Sequence, residues 1–180
     1  SNQKVDLCGN DQSLDGFGSS DGEITSATPA TLHDIDNNKQ FSWQATNRCV
    51  FTQAASFSFE GSKETRLEGV STSTGTVQVT KGELILGTTG SWRNATTAIV
   101  KGGKMTIEHE GAFGKTTDLD LSSAGTLNLV YSDAMRVHAL KLDDVELPMG
   151  VYGASDNTSV NSANRLASIT GTGTINVIGD

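Results

Sequence analysis

Asp118 and Asp120 stand two residues apart in the stretch DLDL, and Asp143, Asp144 and Glu146 follow in DDVE. Paired carboxylates are the raw material of glycoside hydrolysis, and clustered carboxylate oxygens suit calcium. Alternation along a strand puts Asp118 and Asp120 on one face, with Leu119 and Leu121 on the other. That face either grips calcium or a sugar, or is a solvated strand surface. Asp143-Asp144 reads as a turn. His109 lies between Glu108 and Glu110 and shares a strand face with neither. No nucleophile elbow, phosphate loop, EF-hand or paired-histidine zinc motif occurs, and no Cys/His spacing suits zinc. The expectation is a non-catalytic protein without cofactor or metal. A β-helix polysaccharide lyase or hydrolase is the enzyme alternative.

Sugar binding needs aromatic faces flanked by groups that grip hydroxyls. Trp43, in FSWQAT, shares a strand face with Phe41 and has Gln44 and Arg48 nearby, so it is either a platform or core. Tyr131 ends a strand before Ser132-Asp133, where its hydroxyl would be wet. Arg136 and His138 alternate outward between Met135, Val137 and Ala139. Tyr131, Arg136 and His138 form the most ligand-like cluster, with Trp43 as the further candidate. Trp92, in GSWRNAT, and Tyr152, in MGVYGAS, read as structural aromatics.

These residues sit on short strands. Apolar residues recur as alternating pairs: Val77/Val79, Leu84/Leu86, Met105/Ile107, Leu119/Leu121, Leu127/Leu129 and Ile175/Val177. Such period-2 pairs between glycine-rich turns mark half-buried strands, and no stretch keeps a helical period. The copies GTVQV, GTLNL and GTINV, at 75–79, 125–129 and 173–177, suggest a coil whose Gln and Asn either form one stacked ladder or face solvent. A β-helix of about 20 residues per turn would give roughly nine turns and a rod of about 40 Å. A β-sandwich or jelly roll is the alternative. One turn cannot bury its own inner face, so stacking supplies the core.

The 180 residues suffice for one domain. A net charge of −8 argues against nucleic acid and anionic membranes, and favours a neutral over an acidic polysaccharide. Charged residues make up 19%, below the ~25% of ordinary domains. Ser and Thr take their place, as on exposed strands of extracellular proteins. No apolar run is long enough to insert in a membrane, and a start at Ser1-Asn2 fits an export signal removed upstream. Cys8 and Cys49 are expected to form a disulfide, closing a loop of roughly 40 residues and contributing about 3–4 kcal/mol.

The stretches VDLCGNDQSLDGF…GEITSATPATLHD, GTVQVTKGELILG, GSWRNATTAIVKGGKMTIEHEGAFG and VHALKLDDVELPMGVYGAS…ITGTGTINV resemble autotransporter-associated β-strand repeats of secreted bacterial proteins. The resemblance covers 3–36 and 76–180. It implies a right-handed parallel β-helix at the tail of a longer secreted or surface protein, and it carries no catalytic motif. The functional expectation is a carbohydrate-binding ancillary module of a polysaccharide-active protein. The alternative is a stalk or adhesin-type passenger segment. Residues 37–73 fit the pattern poorly and read as a cap or insert at the N-terminal end, tied by Cys8 and Cys49. The closing INVIGD carries no cap signal, so another domain or a second copy is expected to cover that end.

Overall fold

The computed structural model describes residues 3–14, 22–35 and 46–179. It is a mostly parallel β-solenoid of about six turns, with no α-helix among the described residues. The coil opens with β1 (Gln3–Asp6) and β2 (Gln12–Leu14), then β3 (Gly22–Asp34), β4 (Thr46–Asn47) and β5 (Val50–Phe59). It continues through β6 (Glu64–Leu67), β7 (Val70–Ser71), β8 (Thr76–Val79), β9 (Glu83–Leu86) and β10 (Ser91–Trp92). Then come β11 (Thr97–Val100), β12 (Lys104–Ile107), β13 (Asp118–Leu121), β14 (Thr126–Leu129), β15 (Ala134–Val137) and β16 (Ala139–Leu142). The chain closes with β17 (Val145–Glu146), β18 (Gly150–Ala154), β19 (Arg165–Leu166), β20 (Ile169–Gly171) and β21 (Thr174–Val177).

Three sides follow from the register. The first side stacks β2, the second half of β3, the second half of β5, β8, β11, β13 and β16. The second stacks β4, β6, β9, β12, β14 and β20. The third carries β1 and the first halves of β3 and β5, then β7, β10 and Phe113. β15 and β21 complete it. β3 rounds a corner where its register shifts between Ser26 and Ala30, and β5 rounds one at Gln53, whose φ is 57°. Each strand meets its counterpart one turn later, travelling the same way, so the ladders are parallel; a sandwich would pair antiparallel hairpins.

Alternation makes the core. On the first side, Leu32, Phe57, Val77, Ala98, Leu119 and Leu140 form one buried column. On the second, Leu84, Met105, Leu127 and Ile169 form another. Each large apolar side chain so buried contributes about 1.5–3 kcal/mol. Thr76, Thr97, Asp118 and Ala139 lie in register 21 residues apart. The repeated glycines allow neighbouring turns to touch. A Cβ on Gly75 would come within 2.5 Å of Ala55 O, and one on Gly125 within 2.6 Å of Val100 O.

Three expectations need correction, and of the two readings of the near-copies the single ladder is excluded. The coil has about six turns, not nine, because residues 143–168 leave it before β20 resumes stacking. The Gln and Asn of the three near-copies do not form one ladder: Gln78 is on the first side, Asn128 on the second and Asn176 on the third. The C-terminal end carries its own cap. β17 runs antiparallel against β16, and β18 antiparallel against β21, which is thereby held between β15 and β18. This covers a strand edge that would otherwise invite pairing. Finally, no disulfide joins Cys8 and Cys49. Val50 registers with Glu23 and Glu23 with Lys4, so the two cysteines lie two strands apart and near opposite strand ends. Two strand spacings alone, roughly 9.6 Å, exceed the ~7 Å Cα reach of a disulfide. Within 37–73, β4 to β7 stack as ordinary turns of the coil.

Candidate functional site

The predicted ligand cluster separates on folding. Tyr131 turns inward after β14 and is buried, its hydroxyl donating to Thr174 O at 3.2 Å. Gly173 makes room for it, since a Cβ there would stand 2.7 Å from the ring. Burial first, and the charge of Glu110 second, push the phenol well above its ordinary range. Arg136 is exposed on the outer face of β15. His138 lies at the corner between β15 and β16, with Nδ1 2.7 Å from Asp118 Oδ1. Trp43 lies outside the described residues. Trp92 is fully buried against Phe51, ring centroids 4.8 Å apart. Tyr152 is buried in the C-terminal cap, its hydroxyl donating to Pro148 O at 2.7 Å. Asp118 and Asp120 are half-buried on the outer face of β13.

What the coil assembles instead are outward polar groups from successive turns. On the first side, His33 Nδ1 lies 2.5 Å from Glu60 Oε1. Ser58 Oγ donates to the same oxygen at 2.6 Å, and Gln78 Nε2 donates to Ser58 Oγ at 2.7 Å. The residue types are those of a hydrolytic triad, but their order is not. A triad places the imidazole between hydroxyl and carboxylate; here hydroxyl and imidazole both end on Glu60. Ser58 is therefore bonded as a structural donor. Those two contacts, Ser58 before His33, hold the Glu60 carboxyl below the usual carboxylate range.

On the second side, Glu83 accepts from Thr106 Oγ1 at 2.6 Å and pairs with Lys104 Nζ at 2.9 Å. Asn128 Nδ2 donates to Thr106 Oγ1 at 3.3 Å, and Thr170 Oγ1 donates to Asn128 Oδ1 at 3.1 Å. One polar chain thus joins β9, β12, β14 and β20. At the end of this side, Arg66 spans two turns. Its Nε donates to Glu68 Oε1 at 2.8 Å and its Nη1 to Glu108 Oε1 at 2.8 Å, while Nη2 donates to Glu108 Oε2. Glu68 also accepts from Thr89 Oγ1 at 2.7 Å and Thr89 N at 3.0 Å. Gly87 lies between the two acidic residues in the stack, with nothing to block the Glu68 carboxylate. Burial works to raise the Glu68 carboxyl, but the Thr89 hydroxyl and amide together with Arg66 outweigh it and hold it low. Hydrogen bonds to Glu108, ahead of those to Glu68, keep the guanidinium charged.

Sequence reasoning missed Arg66, Glu68 and Glu83, and weighed Glu108 only against its neighbour His109. The available signal was spacing for one pair only: Glu83 precedes Lys104 by one 21-residue turn, whereas Arg66 registers two turns later with Thr106 and reaches Glu108 diagonally. Among the described residues, no three His, Cys, Asp or Glu side chains converge as a metal site.

No protein-family model, curated protein or solved structure matches this chain. The parallel β-solenoid fold stands on the geometry alone.

Proposed function

We propose that this chain is a structural spacer, a stiff segment of a secreted or surface protein that holds other parts of that protein apart. The observation that carries this reading is the direction in which its outward polar groups bond. The chain from Glu83 through Thr106 and Asn128 to Thr170, and the Arg66–Glu108 pair, all run along the coil axis. Side chains that bond to the next turn resist bending and unstacking, and one continuous apolar core runs beside them. A solenoid's stability is a sum of such neighbour contacts. The resemblance to autotransporter-associated β-strand repeats supports the same role, in a stalk or passenger segment of a bacterial surface protein.

A second reading, carbohydrate binding, rests on the first side. Thr76, Thr97 and Asp118 form one half-buried outward row, and Gln78, Ile99, Asp120 and Lys141 the next. That flat strip of hydroxyl, amide and charged groups suits the hydroxyls of a neutral polysaccharide, with hydrogen bonding in place of stacking on Tyr131.

Affinity electrophoresis in gels containing neutral or acidic polysaccharides separates the two. The spacer reading expects no retardation in any gel. Retardation that Thr97→Ala and Asp118→Ala abolish, with the melting temperature unchanged, overturns it in favour of binding. Release of reducing ends would overturn both.

A further inference from the structure

Two stretches place an asparagine two residues before a hydroxyl residue with no proline between: Asn94-Ala95-Thr96 and Asn157-Thr158-Ser159. This spacing is the acceptor pattern for N-linked glycosylation. The structure treats the two differently. Asn94 lies at the corner after β10, and its Nδ2 donates to Thr72 O at 3.4 Å. No hydrogen bond joins it to Thr96. Asn157 lies in the loop between β18 and the 3-10 turn Ser162–Asn164. Its Oδ1 accepts from Ser159 N at 3.0 Å and from Ser159 Oγ at 2.6 Å. A backbone N–H can only donate, so the atom it meets must be the amide oxygen. That leaves Nδ2 on the other side of the group, with no hydrogen-bond partner among the described residues.

We propose that Asn157 is a site of N-linked glycosylation, modified in preference to Asn94. The Ser159 amide and hydroxyl fix the plane of the Asn157 amide, so Nδ2 is presented in one orientation, and by drawing electron density onto Oδ1 they make the Nδ2 protons easier for the transferase's base to remove. Gly153 keeps the flank of that nitrogen open, since a Cβ there would come within 3.3 Å of it. Asn157 is half-buried beside Gly153, with Thr158 and Ser159 exposed and buried Val160 anchoring the loop to the cap, whereas Asn94 and Thr96 are both exposed, so the preference for Asn157 rests on its fixed amide and not on exposure. The donor is a sugar activated as its diphosphate ester, carried on a nucleotide or a polyprenol and used by a separate transferase. Nδ2 attacks the anomeric carbon and the N–C bond forms. The bond from that carbon to the diphosphate oxygen breaks, and the diphosphate leaves with the electron pair. One amide proton passes to the transferase's base. The inference does not depend on the spacer reading.

The test uses the purified folded chain in two arms. One supplies a soluble N-glycosyltransferase with a nucleotide-diphosphate hexose. The other supplies a membrane oligosaccharyltransferase with a polyprenyl-diphosphate oligosaccharide. Intact-mass and peptide-mapping spectra read the product, and the arm that works identifies the donor. The expected result is a glycan adduct on the peptide holding Asn157. The adduct is lost in Asn157→Gln and Ser159→Ala, and kept in Ser159→Thr and Asn94→Gln. Asn157→Gln and Asn94→Gln carry the assignment even where Ser159→Ala lowers stability. No adduct in either arm, an adduct confined to Asn94, or one that survives Asn157→Gln overturns the proposal.

Discussion

Gly87→Ala should destabilise the protein through one carboxylate, and only through it. The φ of Gly87 lies outside the left-handed region, so alanine fits its backbone. By itself that exchange would favour folding by about 0.4–1 kcal/mol, because alanine has fewer unfolded conformations to lose. The new Cβ, however, would stand 2.7 Å from Glu68 Oε2 and closer still to Oε1. Glu68 cannot simply swing aside, because Arg66 Nε, Thr89 N and Thr89 Oγ1 all donate to it. Hydrogen bonds to a charged group contribute about 1.5–3 kcal/mol each. The site is partly open, and water replaces part of what is lost, so moving the carboxylate costs about 2–3 kcal/mol. The net effect is a loss of about 2 kcal/mol, which lowers Tm by about 4–8 °C in a chain of this size. A double-mutant cycle isolates the cause. In a Glu68→Ala background, Gly87→Ala should be neutral or slightly stabilising, giving a coupling of about 2–3 kcal/mol by urea denaturation. A neutral Gly87→Ala in the parent, or a penalty that persists in Glu68→Ala, refutes the reasoning.

Arg66→Ala should lower the urea midpoint by the equivalent of about 1–3 kcal/mol with an unchanged m-value, since Glu68 and Glu108 lose their common cation. Arg66→Lys should recover only part of this, because an ammonium cannot make the two-pronged contact. Glu60 and Glu68 are held low in the folded state, so their contribution is present above the unfolded carboxyl value of about 4.3 and is lost as pH falls through the folded values. Tm should therefore hold steady from neutral pH to about 5 and drop below it, and the drop should flatten in Glu68→Gln. Tyr131 is held high, so its contribution is complete below an unfolded value of about 10 and fades as pH rises toward the folded one; Tyr131→Phe should remove that alkaline loss. With Ellman's reagent the native protein should release one thiol equivalent rapidly, from exposed Cys8, and a second only on unfolding. Burial pushes the Cys49 thiol up to about 11, which slows it further, and reductant should leave Tm unchanged.

The strands were legible because their period is local. Val77/Val79, Leu84/Leu86 and Leu127/Leu129 announce inward positions two residues apart, and each pair is buried. The outward placing of Asp118, Asp120, Arg136 and His138 follows from the same alternation. The candidate site was less legible. Tyr131 continues the inward alternation of Leu127 and Leu129 one step beyond β14, so its direction was readable from the period; the hydroxyl expected to be wet instead donates to Thr174 O, in space that the next turn's Gly173 opens. Trp43 lies outside the described residues.

The sequence by itself determined that this is an all-β coil with glycine at close approaches, because strand period and glycine's missing Cβ act within a few residues. Only the tertiary structure decided which side each strand occupies, and therefore that GTVQV, GTLNL and GTINV face three different ways. The near-copies begin at 75, 125 and 173, separations that are not multiples of the 21-residue turn, so each starts at a different point of its turn. The stacking also decided that Arg66 meets Glu108 across 42 residues, that Cys8 and Cys49 stay apart, and that β17 and β18 cap the C-terminal end. These contacts join neighbours along the axis, and neighbours along the axis exist only once the turns have stacked.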